Sequence, residues 1–544
     1  MELFDLLKAG KYSNLTSSFS VVFLAGFLPI TLLVYVLLPQ KAKRYWLLIA
    51  SYLFFWFISG ELIYFILLAT LSIHYFGLWL DRIQTQKKAA LKATEKEQKK
   101  AVKKQYQHRM QGVMTLAVFV HIGALLVVKY SGFFLDNINL VLARIGISTA
   151  IAIPKFIMPI GISFFSLQAL SYIFDVYRGA TKADDNLTRL ALWLTFFPQI
   201  VEGPFCRYGQ TAEQLWNVKQ VKYEDLVLGG QRILYGLLKK VVVADRLNTM
   251  VAGIFTDGAT HEGGIIAIGA VCYTLQLYMD FSGSMDAVCG IGQIFGVTMP
   301  ENFQRPFFSK TISEFWKRWH VTLGAWFRDY IFYPVSMAGP MKKLTMKARK
   351  KLGNHFGPLI AGSIALFCVW LANGLWHGSA WSYIFFGMYH FVLILCGNII
   401  EPAVRWTNSK LHINPNWFPY RCFQIVRTSI LVVIGELFFR APGLRAGLAM
   451  FKKMVTDFHF TTLNADTLQT LSIDTKDIAI VLVTVVIVFV ISVLNEKGHS
   501  VREWLWTHNI AIRWAVMLVM IMYIVIFGAY GVGYVPVDPM YANF

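Results

Sequence analysis

Residues Ile478 to Leu494 read Ile-Ala-Ile-Val-Leu-Val-Thr-Val-Val-Ile-Val-Phe-Val-Ile-Ser-Val-Leu, without a single charge. A run of this length approaches the ~20 residues that a helix needs to cross hydrocarbon. It is not isolated: Phe19 to Leu38, Trp46 to Ile58, Leu62 to Leu80, Met114 to Val128 and Trp514 to Phe527 have the same character. The composition agrees, with 56% hydrophobic and 15% charged residues where a soluble domain carries ~25% charged. The chain is expected to be an all-α integral membrane protein with about ten to twelve crossings by the length rule, supplemented by re-entrant or interfacial helices.

Between Met114 and Leu494 the apolar segments are broken by Gly, Pro and polar pairs. Irregular backbone survives at membrane depth only where protein or a water-filled cavity covers it, so broken segments point to the functional centre. The candidates are Pro154 to Tyr177, with Pro159 and Gly161, and Phe303 to Val335. No solenoid-period repeat and no inverted pair of broken helices is found, so residues 1–544 read as one membrane domain. The first apolar run follows a polar leader with Lys8 and Lys11 and is long enough to stay as a span, so no cleavable signal is expected.

The formal charge of +20 raises nucleic acid as a partner, but position decides against it. Ten Lys and Arg lie between Arg82 and Arg109, and six between Lys342 and Lys351, both beside apolar segments. No nucleic-acid module accompanies them. The positive-inside rule makes 82–109 a basic cytoplasmic loop, with anionic lipid headgroups of the bilayer within its reach. Counting crossings from there puts the N-terminus outside, while Lys497, Arg502 and Arg513 mark another inside loop and send the C-terminus outside. Residues 458–477, with Asp466, Asp474 and Asp477, then form an extracytoplasmic loop available to an envelope partner. Six scattered cysteines without a CxxC pair read as small hydrophobes.

Within Asn373-Gly374-Leu375-Trp376-His377-Gly378-Ser379-Ala380-Trp381 one imidazole stands in a long apolar and aromatic run. An ionisable group at membrane depth is expensive and therefore a functional candidate. Histidine, with an unperturbed pKa of about 6.5, is suited to take a proton from a hydroxyl nucleophile. Gly374 and Gly378 would let backbone or substrate approach it closely. A second histidine ends Glu314-Phe315-Trp316-Lys317-Arg318-Trp319-His320, where Trp316 and His320 are spaced i, i+4 and would share a helix face. Thr311 or Ser313 can cap a helix beginning near Glu314. Asp280-Phe281-Ser282-Gly283 sets a carboxylate in an apolar segment, where it should be paired, with Arg305, Arg318 or Arg328 as partners. No HExxH, paired CxxC or GxxxxGK is present, so the sequence offers no metal or nucleotide cradle.

Gln276 to Gly283, Glu301-Asn302-Phe303, Glu314 to His320 and Gly374 to Gly378, in that order, resemble the membrane-bound O-acyltransferase family, above all its bacterial branch that acetylates alginate and other envelope polysaccharides. Leu28-Pro29, Pro159 to Phe164, Pro198 to Pro204 and Phe438 to Ala441 extend the likeness over most of the chain. It departs at Ser284-Met285-Asp286, where relatives usually carry Tyr-Ser-Asp. The resemblance implies a ring of tilted helices around a central funnel whose two mouths meet at the histidines. It makes His377 and His320 the catalytic pair and Trp376, Trp316, Trp319, Arg318, Asp280, Ser282 and Asn373 the substrate-binding candidates. It implies no bound cofactor, an acyl thioester such as acetyl-CoA or an acyl carrier as cytoplasmic donor, a polysaccharide acceptor, and an extracytoplasmic SGNH-type transferase or esterase partner.

Relatives often end in a motif like Phe-Ile-Tyr-Phe-Gln-Phe. Here residues 536–544 form an extracytoplasmic C-terminal motif in which Pro539-Met540-Tyr541-Ala542-Asn543-Phe544 keeps the tyrosine and the final aromatic. Tyr541 is a candidate acyl carrier, with an ordinary frayed terminus as the plainer alternative. The expected function is transfer of an acyl group, acetyl foremost, across a bacterial cytoplasmic membrane to an envelope polysaccharide. The alternatives are D-alanyl transfer to teichoic acid, a polysaccharide or lipid transporter, and a non-catalytic envelope scaffold.

Overall fold

The computed structural model describes residues 20–147, 149–154, 156, 158–258, 260–530, 535 and 537, and every regular element among them is helical. Among the described residues, eight helical spans are long and apolar enough to cross a membrane: Gln40–Ala93, Lys99–Arg144, Gly263–Ile294, Gly339–His377, Trp381–Lys410, Phe418–Arg440, Thr475–Glu496 and Ile510–Phe527. The first apolar run of the sequence falls on the shorter Val22–Leu37. On Thr475–Glu496 the side chains of Leu482, Val486 and Phe489 point outward and exposed. Water would not tolerate such a face, whereas acyl chains match it, so this is a multi-pass membrane protein.

Of the two stretches expected to be loops, 82–109 is largely helical, while 458–477 is mostly irregular with one short helix. Ile63–Ala93 runs on past Arg82, and Lys99–Leu125 begins after only residues 94–98. The Lys, Ala and Gln that fill 82–109 are good helix formers, so the basic stretch extends two helices instead of unwinding between them. In 458–477 the acids serve helix starts. Ala465–Thr470 is a short helix, and Asp474 and Asp477 cap Thr475–Glu496 reciprocally, each side chain accepting from the other's backbone N–H at 2.7 and 3.2 Å. Such a box satisfies two of the orphan donors of a helix N-terminus.

Contacts divide the chain into two compact units. The first takes the chain up to Gly230 together with Val288–Pro300. Its core includes the rings of Phe23, Phe27, Phe54 and Phe197, with centroids 5.4 to 6.2 Å apart. A non-helical, buried stretch from Phe196 to Cys206 follows Leu187–Thr195, and Gln199 donates back to the Trp193 carbonyl at 2.9 Å. Gly161 lies against this stretch with φ of 78°, and a Cβ there would stand 2.5 Å from the Ile200 carbonyl oxygen. Only glycine meets both demands. The break expected within Pro154 to Tyr177 is confined to this entry, for Ile162–Arg178 is an uninterrupted helix.

The second unit comprises Gln231–Ala287 and Glu301–Val537. Here the other broken segment is short pieces throughout: Pro306–Phe308, Ile312–Arg318, Val321–Phe327, Arg328–Phe332 and Tyr333–Ser336. Gly339–His377 and Trp381–Lys410 form a helical hairpin beside them. A Cβ on Gly374 would stand 2.6 Å from the Tyr383 carbonyl oxygen, and one on Gly387 2.4 Å from that of Trp370. These glycines bring the two backbones together behind His377.

Candidate active site

The site grows from the reversal at His320. Thr311 caps Ile312–Arg318 by accepting from the Glu314 N–H at 3.1 Å, as its sequence position suggests. The helix does not continue to His320. It ends at Arg318, Trp319 is extended, and His320 takes a left-handed conformation with φ of 45°. The expected shared helix face of Trp316 and His320 is therefore not formed. The cause is Asn302. Its carbonyl accepts the Val321 N–H at 3.0 Å, and its side-chain Oδ1 accepts from the Thr322 N–H at 3.2 Å and the Thr322 hydroxyl at 2.9 Å. A residue distant in sequence thus caps the first two N–H groups of Val321–Phe327, making a fresh helix start cheaper than continuation. Left-handed backbone at a residue with a Cβ costs on the order of 1–3 kcal/mol and persists where its surroundings over-determine it, commonly at functional sites.

Asn302 also orients the imidazole. His320 Nδ1 lies 3.1 Å from the same Oδ1, an oxygen identified by the backbone N–H it accepts. An acceptor oxygen there requires Nδ1 to carry the proton, which puts the lone pair on Nε2. The ring is buried, edge-on to Phe281 at 4.8 Å and 5.9 Å from Trp376.

His377 reaches the same space from the last turn of Gly339–His377. Its ring meets Phe439 at 5.0 Å, Trp376 at 4.9 Å and Phe386 at 6.1 Å. The flanking Gly378 serves packing and not substrate approach, since a Cβ would stand 2.3 Å from the Tyr383 ring. Between the histidines lies a cavity of about 60 Å³ lined by Trp316, Trp319, His320, Leu323, Gly324, Phe327, Val369, Trp370, Asn373 and His377. Asn373 is buried, and its Oδ1 has no hydrogen-bond partner among the described residues. An unpaired buried acceptor beside two imidazoles is equipped to receive a polar group from a bound molecule.

Five of the residues singled out in the sequence thus line one cavity: Trp316, Trp319, His320, Asn373 and His377. Trp376 touches both imidazoles from outside the lining. Arg318 turns away, pairing with Glu314 at 3.0 Å and Glu496 at 2.9 Å. Tyr541 lies outside the described residues.

Asp280 and Ser282 belong to a separate buried network. The partner of Asp280 is none of the three arginines expected, but Lys240 at 2.7 Å, which also holds Asp245 at 2.9 Å. Lys239 donates to Ser282 at 2.9 Å and pairs with Asp286 at 2.5 Å, and Arg232 adds a contact to Asp286 at 2.9 Å. Two consecutive lysines reach inward because Leu238–Ala244 is wound as a π-helix, a bulge that displaces the usual 3.6-residue register. Lys240 further donates to the Val537 carbonyl at 2.7 Å, and Asp245 accepts from the Val537 N–H at 2.8 Å, so this cluster ties down the segment that leads toward Tyr541.

Asn302, Lys240 and another buried histidine, His390, were missed as site residues. A doublet of lysines in the otherwise apolar run Ile233 to Val243 was the available signal for Lys240.

Residues 184–348 match the profile of MBOAT, the membrane-bound O-acyltransferase family. A protein of Pseudomonas syringae pv. tomato named "Probable alginate O-acetylase AlgI" is 32% identical over 462 residues, which cover 85% of this chain and 79% of that protein. The peptidoglycan O-acetyltransferase of Helicobacter pylori is 28% identical, covering 80% of this chain and 79% of its own. The teichoic acid D-alanyltransferase of Bacillus subtilis is 33% identical over 264 residues, covering 46% and 63%. With the fold and paired histidines described above, these likenesses define the chain as an acyltransferase embedded in a membrane. It belongs to the membrane-bound O-acyltransferase family.

Proposed function

We propose that this enzyme moves an acetyl group from a cytoplasmic thioester to a hydroxyl of an extracytoplasmic envelope polysaccharide, in the cytoplasmic membrane of a bacterium. The observation that carries the reading is the small cavity in which His320, His377 and Asn373 converge against tryptophan. An acceptor hydroxyl attacks the thioester carbonyl as His377 takes its proton. The carbon–sulfur bond then breaks, and the leaving thiolate recovers a proton. His320, whose tautomer leaves Nε2 as the accepting nitrogen, orients the donor side, and general-base assistance by His377 is worth ~10²- to 10⁴-fold. The names of the Pseudomonas and Helicobacter relatives, an alginate O-acetylase and a peptidoglycan O-acetyltransferase, support acetyl and an envelope polymer.

In the relayed form of this transfer the hydroxyl that first attacks the thioester is that of Tyr541, and the polysaccharide receives the acyl group afterwards. The tyrosine phenol, at a normal pKa of about 10, needs a base such as His377 before it can take the acyl group as a tyrosyl ester and release it to an SGNH-type partner. The Bacillus relative favours a second reading, D-alanyl transfer to teichoic acid. Mass analysis of the envelope polymers with and without the gene separates the two, since acetyl adds no amine. An unchanged polymer contradicts both. The positive-inside rule places Lys99 inside and Tyr541 outside, so Lys99→Cys and Tyr541→Cys should label from opposite faces with an impermeant reagent. Labelling from one face refutes that orientation.

A further inference from the structure

A third imidazole stands behind the cavity, and no step above uses it. His390 is fully buried on Trp381–Lys410, and its Nδ1 accepts from the indole Nε1–H of Trp316 at 3.2 Å. An indole N–H only donates, so Nδ1 is the acceptor and the ring proton sits on Nε2. Among the described residues that Nε2 has no hydrogen-bond partner, and a Cβ on Gly435 would stand 2.7 Å from it. The ring stacks on Trp370 at 5.5 Å and meets Trp316 at 4.8 Å and Phe386 at 4.7 Å.

A phenylalanine would fill this aromatic box without burying an unpaired N–H, which costs free energy. What the imidazole adds is the acceptor for Trp316. Trp316 and Trp370 line the cavity, so whatever fixes the Trp316 indole fixes a wall. The cavity of about 60 Å³ holds about four to six water-sized spheres at ~10–15 Å³ each. That is on the scale of an acetyl group.

We propose that His390 is a positioning residue that sets acyl-chain selectivity, holding the Trp316 indole across the cavity so that it closes at acetyl length. The proposal rests on the acyl-transfer reading above and deepens it. It is tested by measuring kcat/KM for acetyl-CoA and hexanoyl-CoA with the full chain in lipid and a polysaccharide acceptor. His390→Phe keeps the ring and loses the acceptor, while Trp316→Phe loses the donor and shrinks the wall. Both should raise the hexanoyl-to-acetyl ratio about tenfold or more, the discrimination a pocket gives per methylene or two. His390→Asn, which restores an acceptor near the Nδ1 position, should return the ratio toward wild type. Should His390→Phe fail to fold, Gly435→Ala displaces the imidazole from its far side and should shift the ratio in the same direction. Equal loss for both donors in the folded variants, with the ratio unchanged, would overturn the proposal and leave acyl transfer standing. A wild-type enzyme that uses neither donor overturns both.

Discussion

Asn302 Oδ1 lies 3.1 Å from His320 Nδ1 while accepting the Thr322 N–H at 3.2 Å, so one amide both starts a helix and fixes an imidazole tautomer. The link joins the local fold to the chemistry, because the turn that breaks the helix after Arg318 is the turn that aims His320.

Replacing Asn302 should therefore reproduce the loss of His320. Asn302→Ala removes the acceptor of a buried backbone N–H, costing ~1–3 kcal/mol, and releases the ring. Acyl transfer by Asn302→Ala and His320→Ala should fall by similar factors, with no further fall in the double variant. Steady-state rates on protein of equal yield check this, and additive losses would mean that the two residues act separately.

The Lys240 cluster should hold the segment at Val537. Lys240→Met leaves Asp245 and Asp280 buried without their shared cation, and breaking a buried pair costs ~3–5 kcal/mol. Melting temperature in detergent should drop, and proteolysis beyond Phe527 should quicken. Lys240→Arg should recover part of both. An unaltered cleavage rate at that segment would show that the cluster does not anchor it.

One pH dependence lies outside the spans. His459 pairs with Asp457 at 2.7 Å and Glu262 at 3.2 Å, and these contacts raise its pKa above the usual 6.5. Glu262 is opposed by desolvation, yet hydrogen bonds from Thr461, the Thr462 N–H and His459 bring it down to about 2. The histidine contribution is complete below the unfolded value and fades as pH rises through the raised one. The carboxylate contribution is complete above ~4.3 and fades only toward pH 2. Segment 457–463 should thus be held most firmly between about pH 4.5 and 6.5. Hydrogen exchange there, corrected for intrinsic rate, should rise from pH 6 to 9 in the wild type and stay flat in His459→Gln.

Much of this was legible before any coordinates. Uninterrupted apolar runs such as Ile478 to Leu494 mark spans because nothing else tolerates them, and imidazoles within such runs mark a site because burial makes them costly. The convergence of Trp316, Trp319, His320, Asn373 and His377 follows from those residues and their resemblance to a family. The role of Asn302 was not legible. An i, i+4 spacing reads as one helix face, and only a long-range cap from another segment turns it into a reversal. The pairing of Asp280 was hidden for a similar reason, since the π-helix at Leu238–Ala244 that aims two adjacent lysines has no signature in a 3.6-residue pattern. The expected loop at 82–109 became helix ends, and acids of 458–477 serve the starts of helices within and after it, because charge was read as solvation where helix propensity and capping also use it.

The central claim is that His377 is the base in the cavity. The direct measurement is acyl transfer to the envelope polymer by His377→Ala, expressed to wild-type level and folded in the membrane. The expected result is a fall of ~10²- to 10⁴-fold, with residual transfer larger in His320→Ala. Wild-type acylation by a well-expressed His377→Ala protein contradicts it.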